Sequence, residues 1–395
     1  MNFLLEGDLM KLSHYVESVA PSVTLQFNQR VLEKLERGED VVKLTAGEPD
    51  FPTPKPIAEA AIEAIKAGKT KYTGSAGIRT LRERIAEKLK KENELDYSPD
   101  EIVVTNGGKQ ALYNTLKALI EPGDEVIIVS PSWVSYEAQI KLCGGIPVFV
   151  PAFPEDSYIP ELSRIEKAIG NRTKVMIINS PNNPTGTVYN KGFLRKLSEL
   201  LKARGVIVIS DEVYEKLAFD EEHVSIASFP WMKEHTVVIN AFSKAYSMTG
   251  WRVGYLAANA GIAKAAAKIQ GHSTSNVNTI AQYAALKALD VDTGYMVEEF
   301  KRRREYVGKR LKEMGLKFPY PKGAFYFFVD IREFLGKRFR NSFDFCVSLL
   351  EDAGVGMIPG SAFNAEGFVR LSYASSMEEL KEGLDRFEDF LGSVV

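Results

Sequence analysis

Between residues 102 and 258, short apolar runs alternate with amphipathic stretches, and that alternation predicts the architecture. Residues 102–105, 125–129, 146–150, 174–178, 206–209 and 236–241 form brief runs, most of them rich in Val and Ile. Nearly continuous apolar runs of that length read as strands buried on both faces. Helical spacing fills the intervals at 109–119, 134–142, 160–169 and 191–203, and a further apolar run, 253–258, follows the last strand. This pattern predicts an α/β fold: a large domain with a mostly parallel sheet sandwiched by helices.

Either side of this core the pattern changes. Val31, Leu32 and Leu35 fall at helical spacing, Gly38 closes that segment, and Ser22-Val23-Thr24 precedes it as a capping sequence or, as a minor reading, a substrate contact. Residues 44–54 carry Gly47, Pro49, Pro52 and Pro54, a rigid irregular segment. It is either a linker or a place where Gly47 lets a ligand approach the backbone. Helices are expected at 56–67 and 77–92, then, past the sheet, at 261–269, 280–289 and 295–314, with a polar loop at 271–279. The run Lys301-Arg302-Arg303-Arg304 reads as a solvated basic face. The last hundred residues predict a smaller α+β domain, with strands at 323–329, 354–358 and 369–373 and helices at 343–350 and 377–391.

Composition narrows the function classes. Fifty Lys and Arg against 52 Asp and Glu give a net charge of −2, with no basic excess for nucleic acid. The four histidines are scattered without metal-ligand spacing, so no metal site is expected. Two cysteines form no disulfide framework, which fits a reducing, cytoplasmic compartment. Residues 1–10 hold too short an apolar run for a signal peptide, and no stretch approaches the roughly 20 apolar residues of a membrane span. Gly68-Lys69-Thr70 mimics the end of a phosphate loop, but Glu63 stands where that pattern needs glycine.

Candidate chemistry collects at the carboxyl ends of the predicted strands, where α/β sheets place their ligands. Gly107-Gly108-Lys109 opens a helix and makes a phosphate cradle. Trp133 offers an aromatic face, and Asn183 lies in a rigid loop between two prolines. Asp211 ends one strand with Tyr214 three residues on, and Ser243-Lys244 ends the next, with Arg252 beyond. A lysine between two buried strands has a depressed pKa and serves as a nucleophile or base. Arg370, inside an apolar strand, requires a carboxylate from the protein or from a ligand. Tyr72 is a loop anchor or a ligand contact. Together these groups describe a site for a planar, phosphorylated, aldehyde-bearing pyridine. Lys244 would form the imine, and Asp211 would hold a proton on the ring nitrogen. Asn183 and Tyr214 would bond the ring oxygen, and Ser243 and Arg252 the phosphate.

Ser243-Lys244 with Gly250-Trp251-Arg252-Val253-Gly254, Asn182-Asn183-Pro184-Thr185-Gly186, Ser210-Asp211-Glu212-Val213-Tyr214 and Val369-Arg370-Leu371-Ser372 resemble the class I pyridoxal-phosphate-dependent aminotransferases. The match runs in order from about residue 15 to the end, and is close to the compact prokaryotic aspartate aminotransferases through Gly107-Gly108-Lys109-Gln110-Ala111-Leu112 and Pro131-Ser132-Trp133. The resemblance implies the type I fold of pyridoxal-phosphate-dependent transferases and pyridoxal 5'-phosphate as cofactor. It implies an arm and part of the small domain at 1–55, a large cofactor-binding domain at 56–289 and a small C-terminal domain at 290–395. It places Gly47, Trp133, Asn183 and Arg370 on the substrate, with Arg370 gripping the α-carboxylate. It also implies a homodimer with shared active sites, in which Tyr72 reaches the neighbour's phosphate and 273–279 lies at the interface.

The mechanism implied is a ping-pong exchange in which Lys244, freed from the cofactor, moves the α-proton. An acidic donor, aspartate or glutamate, with 2-oxoglutarate or oxaloacetate as acceptor is expected. Lys109 is either the distal substrate contact, with Thr24 beside it, or a surface residue. Aromatic- or prephenate-type transamination and carbon–sulfur lysis on the same scaffold are the alternatives. An aminotransferase-like transcription regulator would need a DNA-binding module ahead of residue 47, for which the chain has no room.

Overall fold

The computed structural model describes residues 12–336 and 338–394, so the reading of residues 1–10 falls outside it. Twelve strands are present among the described residues. In chain order they are β1 (Val42–Lys43), β2 (Ile102–Thr105), β3 (Glu125–Ser130), β4 (Ile146–Pro151), β5 (Thr173–Asn179), β6 (Ile207–Asp211), β7 (Thr236–Ala241), β8 (Gly254–Ala257), β9 (Tyr326–Asp330), β10 (Val355–Gly356), β11 (Ile358–Pro359) and β12 (Phe368–Ser372). Seven of them form one sheet in the order β2-β8-β7-β6-β5-β3-β4. β8 alone runs against its neighbours β7 and β2; the other pairs are parallel.

The apolar runs are continuous because both faces of the sheet are covered. Val103, Ile128, Ile177, Ile209, Ile239 and Leu256 pack under the helices Gly108–Leu119, Ser135–Leu142 and Ala260–Ser273. On the opposite face Ile102, Val104, Val238, Tyr255 and Ala257 meet the helices Lys55–Lys66, Arg79–Asn93 and Thr279–Ala288. Further along that sheet Ile127, Met176 and Val208 join Leu194, Leu197 and Leu201 of the helix Lys191–Ala203. Adjacent residues of one strand thus serve different layers, as a period of two requires.

The C-terminal residues build a three-stranded antiparallel sheet, β11-β12-β9, in which Arg370 lies opposite Phe328 and Ile358. The N-terminal part of the chain packs onto this unit. β1 pairs with β10, Phe27 meets Phe343 edge-on, and the Ser372 N–H donates to the Leu44 carbonyl. Ser22 caps the helix Val23–Glu36 by accepting from the Leu25 N–H, so capping is the observed role of that serine.

Three local readings change. The strand expected at 354–358 is broken at Met357 into β10 and β11, which pair with different partners. Residues 271–273 of the expected polar loop continue the helix Ala260–Ser273. The run 301–304 is not a uniform solvated face: Arg303 and Arg304 are buried. Arg303 forms a bidentate pair with Asp50 at 2.6 and 3.0 Å, and Arg304 holds Asp220 in the same way at 2.5 and 2.9 Å.

Candidate active site

The carboxyl ends of β2, β3, β5, β6 and β7 open into one cavity of about 310 Å³, roofed by residues of the C-terminal unit. Gly47, Gly108, Lys109, Trp133, Asn183, Asp211, Tyr214, Ser243, Lys244, Arg252 and Arg370 all line it. Gly107 lies directly behind. Its φ of +78° favours glycine, and a Cβ there would stand 2.7 Å from an Arg252 guanidinium nitrogen. Gly254 allows an equally close approach, since its Cβ would meet the Gly107–Gly108 backbone at 2.7 Å. The turn before the helix Gly108–Leu119 is thereby pressed against β8, with the unpaired first N–H groups of that helix and the Arg252 side chain side by side.

Lys244 sits on the four-residue helix Phe242–Ala245 that interrupts the β7-to-β8 connection. The Phe242 N–H donates to the Val253 carbonyl at 3.1 Å, which closes the connection and fixes the side chain's direction. The amine donates to the Gly47 carbonyl. Burial depresses its pKa to about 8, with Glu48 opposing that shift and Arg370 and Arg252 adding to it. Asp211 is held from two sides, by the Tyr136 hydroxyl at 2.6 Å and the Val213 N–H at 3.3 Å. Burial nevertheless pushes its carboxyl up to about 6, because the two hydrogen bonds only partly offset the lost solvation.

Arg370 is 4% exposed. Its guanidinium donates to the Asn183 side-chain oxygen and the Thr45 carbonyl, each at 3.0 Å, and lies 4.3 Å over the Tyr326 ring. Both hydrogen-bond acceptors are neutral, and Nε is buried without a partner among the described residues. Asn183 is itself held by its N–H donating to Asn179, whose amide donates to the Asp211 carbonyl. Tyr214 shares a 3.0 Å hydroxyl–hydroxyl bond with Tyr326. Lys109 lies 4.9 Å over the Trp133 ring, its pKa lowered by burial and then by Arg252.

Tyr72 does not join the others: it is 89% exposed and outside the cavity. Conversely, Tyr136, Asn179, Tyr326, Leu25 and Asn28 line the cavity without having been singled out. Asn179 had a usable signal, as the last residue of a strand at the ligand edge. Tyr136 lies three residues past Trp133, while Tyr326 is masked by the phenylalanines around it.

A family model for aminotransferases of class I and II matches residues 39–387. The chain belongs to the class I and II aminotransferases. This aminotransferase is 49% identical over 382 residues to the aspartate aminotransferase of Thermotoga maritima, covering 97% of this chain and 100% of that one. It is 43% identical to the aspartate/prephenate aminotransferase of Thermus thermophilus, covering 96% and 99% of the two chains. The solved structure of the Thermus thermophilus aspartate aminotransferase with maleate superimposes with a TM-score of 0.92 at 43% identity, covering 96% of this chain and 99% of that one. The type I fold expected for the large sheet is therefore present.

The family uses pyridoxal 5'-phosphate, and the donor set of this aminotransferase fits that group. The glycine turn, the helix N-terminus, Ser243 and Arg252 together offer neutral and charged donors to a phosphate dianion. A carboxylate of raised pKa at Asp211 suits a basic ring nitrogen, and an amine of depressed pKa at Lys244 suits an aldehyde. Among the described residues no helix is long and apolar enough to cross a membrane.

Proposed function

We propose that this aminotransferase moves the amino group of aspartate or glutamate to 2-oxoglutarate or oxaloacetate. The observation that carries this reading is Arg370: a buried cation whose partners are neutral, facing the same cavity as Lys244 and Asp211. A buried guanidinium without an anion is costly, and an α-carboxylate offsets that cost with a bidentate pair. Lys109, in the same cavity and partly stripped of water, would take the distal carboxylate. The names of the Thermotoga and Thermus relatives support an acidic substrate. The Thermus relative also supports a prephenate-type acceptor, which carries a carboxylate of its own, as the second reading.

When bound, pyridoxal 5'-phosphate supplies an aldehyde for imine exchange and a ring that takes up electrons from the substrate's α-carbon. The protein's part is to hold and to move protons. Gly108, Ser243 and Arg252 would hold the phosphate, and Trp133 would offer its face to the ring. Asp211, steadied by Tyr136, would keep a proton on the ring nitrogen, while Asn183 and Tyr214 would bond the ring oxygen. Arg370 and Gly47 would hold the amino acid in the cavity that Lys244 also lines. The Lys244 amine would take the α-proton as a base and deliver it, as an acid, to the carbon that had been the cofactor's aldehyde, and a depressed pKa near 8 makes both roles accessible at neutral pH.

The same reading makes the enzyme a homodimer in which exposed Tyr72 completes the neighbour's phosphate site. Of the described residues, 12–55 and those from 290 to 394 would form one domain closing on 56–289. Two buried free cysteines suit a reducing, cytoplasmic compartment. Initial rates with aspartate and 2-oxoglutarate test the assignment. Parallel double-reciprocal lines are expected, with Lys244→Ala reducing turnover by at least about 10⁴-fold. Intersecting lines, or a variant retaining a tenth of the rate, would overturn it.

A further inference from the structure

Asp211 and Tyr214 line the cavity, but Glu212 and Glu215 do not. Their carboxylates are buried behind it. Glu212 is 1% exposed and accepts from Ser210 at 2.7 Å, Ser225 at 2.6 Å and the His223 Nε2 at 3.1 Å. Glu215 accepts from the Lys88 amine and, at 2.7 Å, from the Asn93 amide. Ligating atoms of Glu212, Glu215 and His223 all lie within 4.8 Å of one another. Two buried carboxylates against Lys88 alone leave one negative charge unbalanced, a costly arrangement in a dry interior.

We infer that His223 is a positioning residue: as an imidazolium beside Glu212 and Glu215 it completes a neutral four-charge lock that fixes the Asp211–Tyr214 turn from behind. The lock spans three elements: the helix Arg79–Asn93 supplies Lys88, the turn after β6 supplies the two carboxylates, and the downstream loop supplies His223. The neighbouring charges are already matched, with Glu92 lying 3.7 Å from Lys88 and 2.6 Å from Lys216. The Tyr97 phenol also lies in the field of Glu212 and stays neutral. Burial works against a charged His223, but the hydrogen bond and charge of Glu212, then the charge of Glu215, outweigh it and raise the imidazole pKa. The companion effect falls on Glu215. Burial opposes its ionisation, yet Lys88 and His223 hold its pKa down to about 2. The distances would also admit a metal ion. However, Lys88 already stands against Glu215, and a divalent ion would leave the cluster positive.

The inference rests on the proposed roles of Asp211 and Tyr214, and two readouts keep the two readings apart. The first is the visible absorbance of the protein loaded with pyridoxal 5'-phosphate, titrated with pH. His223→Gln keeps a donor for Glu212 but loses the charge, so the site becomes more negative. The midpoint should rise by about half a pH unit. Glu212→Gln removes the carboxylate that keeps His223 charged, so the two charges are lost together and its midpoint, like that of the double variant, should stay near the wild-type value. The second readout is thermal unfolding of the unloaded full chain between pH 6 and 9. A raised folded-state pKa stabilises below the unfolded value and is lost as pH rises through the folded one. The wild type should therefore show an alkaline loss of stability that His223→Gln lacks. An unshifted midpoint in His223→Gln, or identical pH profiles of unfolding, would overturn the lock. A wild-type protein that gives no absorbance on loading would instead refute the cofactor reading, and the unfolding profiles would still decide the lock.

Discussion

Arg370→Met separates what this residue does for the substrate from what it does for the fold. The native guanidinium has two neutral acceptors, at 3.0 Å each, and a ring face at 4.3 Å. Hydrogen bonds from a charged donor are worth about 1.5–3 kcal/mol each, and a desolvated cation–π contact about 2 kcal/mol. Against this stands a desolvation penalty of several kcal/mol for a buried ion with no counter-ion. The two sides nearly cancel, so the ligand-free variant should match wild-type stability to within about 2 kcal/mol. Substrate binding is different, because a carboxylate turns the same group into a bidentate ion pair. Two charge-assisted bonds of about 1.5–3 kcal/mol each put the loss in kcat/KM at roughly 10²–10⁴-fold. Denaturant unfolding and steady-state kinetics on one preparation measure both. A kcat/KM within tenfold of wild type would refute the substrate role. An unliganded variant that loses more than about 4 kcal/mol would refute the cancellation, since that is the mark of a structural ion pair.

Asp211→Asn should stabilise the unloaded protein above pH 6. The carboxyl is raised from 3.8 to about 6, so its stabilising effect is present below its unfolded pKa and lost as pH rises through 6, by roughly 3 kcal/mol. Unfolding curves at pH 4 and pH 8 check this, and the same variant should lose at least about 10³-fold in turnover, since the ring nitrogen loses its anion. Gly107→Ala forces a side chain into a glycine-only backbone conformation and against Arg252, and should weaken pyridoxal phosphate binding at least tenfold by equilibrium dialysis. Lys109→Ser should raise KM for aspartate by about 10-fold or more while leaving alanine, which has no distal carboxylate, within about twofold.

The sheet was legible because its strands are buried on both faces and therefore continuously apolar in the sequence. The site was legible because residues that do not belong in such strands, Asp211, Lys244 and Asn183, fall at their carboxyl ends. Arg303 and Arg304 were misread because a local charge run carries no trace of its partners. Asp50 lies 253 positions away from Arg303, and Asp220 lies 84 from Arg304. Tyr326 is hidden for a related reason. In Gly323-Ala324-Phe325-Tyr326-Phe327-Phe328 only tertiary structure distinguishes the aromatic whose hydroxyl meets Tyr214 from those that fill the core.

Every role proposed for the cavity depends on the Lys244 amine carrying pyridoxal phosphate. Borohydride reduction of the loaded protein, with peptide mass mapping of the product, tests that attachment directly, because reduction makes the lysine–cofactor bond permanent. The prediction is one phosphopyridoxyl group per chain, on the peptide containing Lys244 and absent when Lys244 is replaced by Ala. A label on another lysine, or none on a protein that still transaminates aspartate, would contradict it.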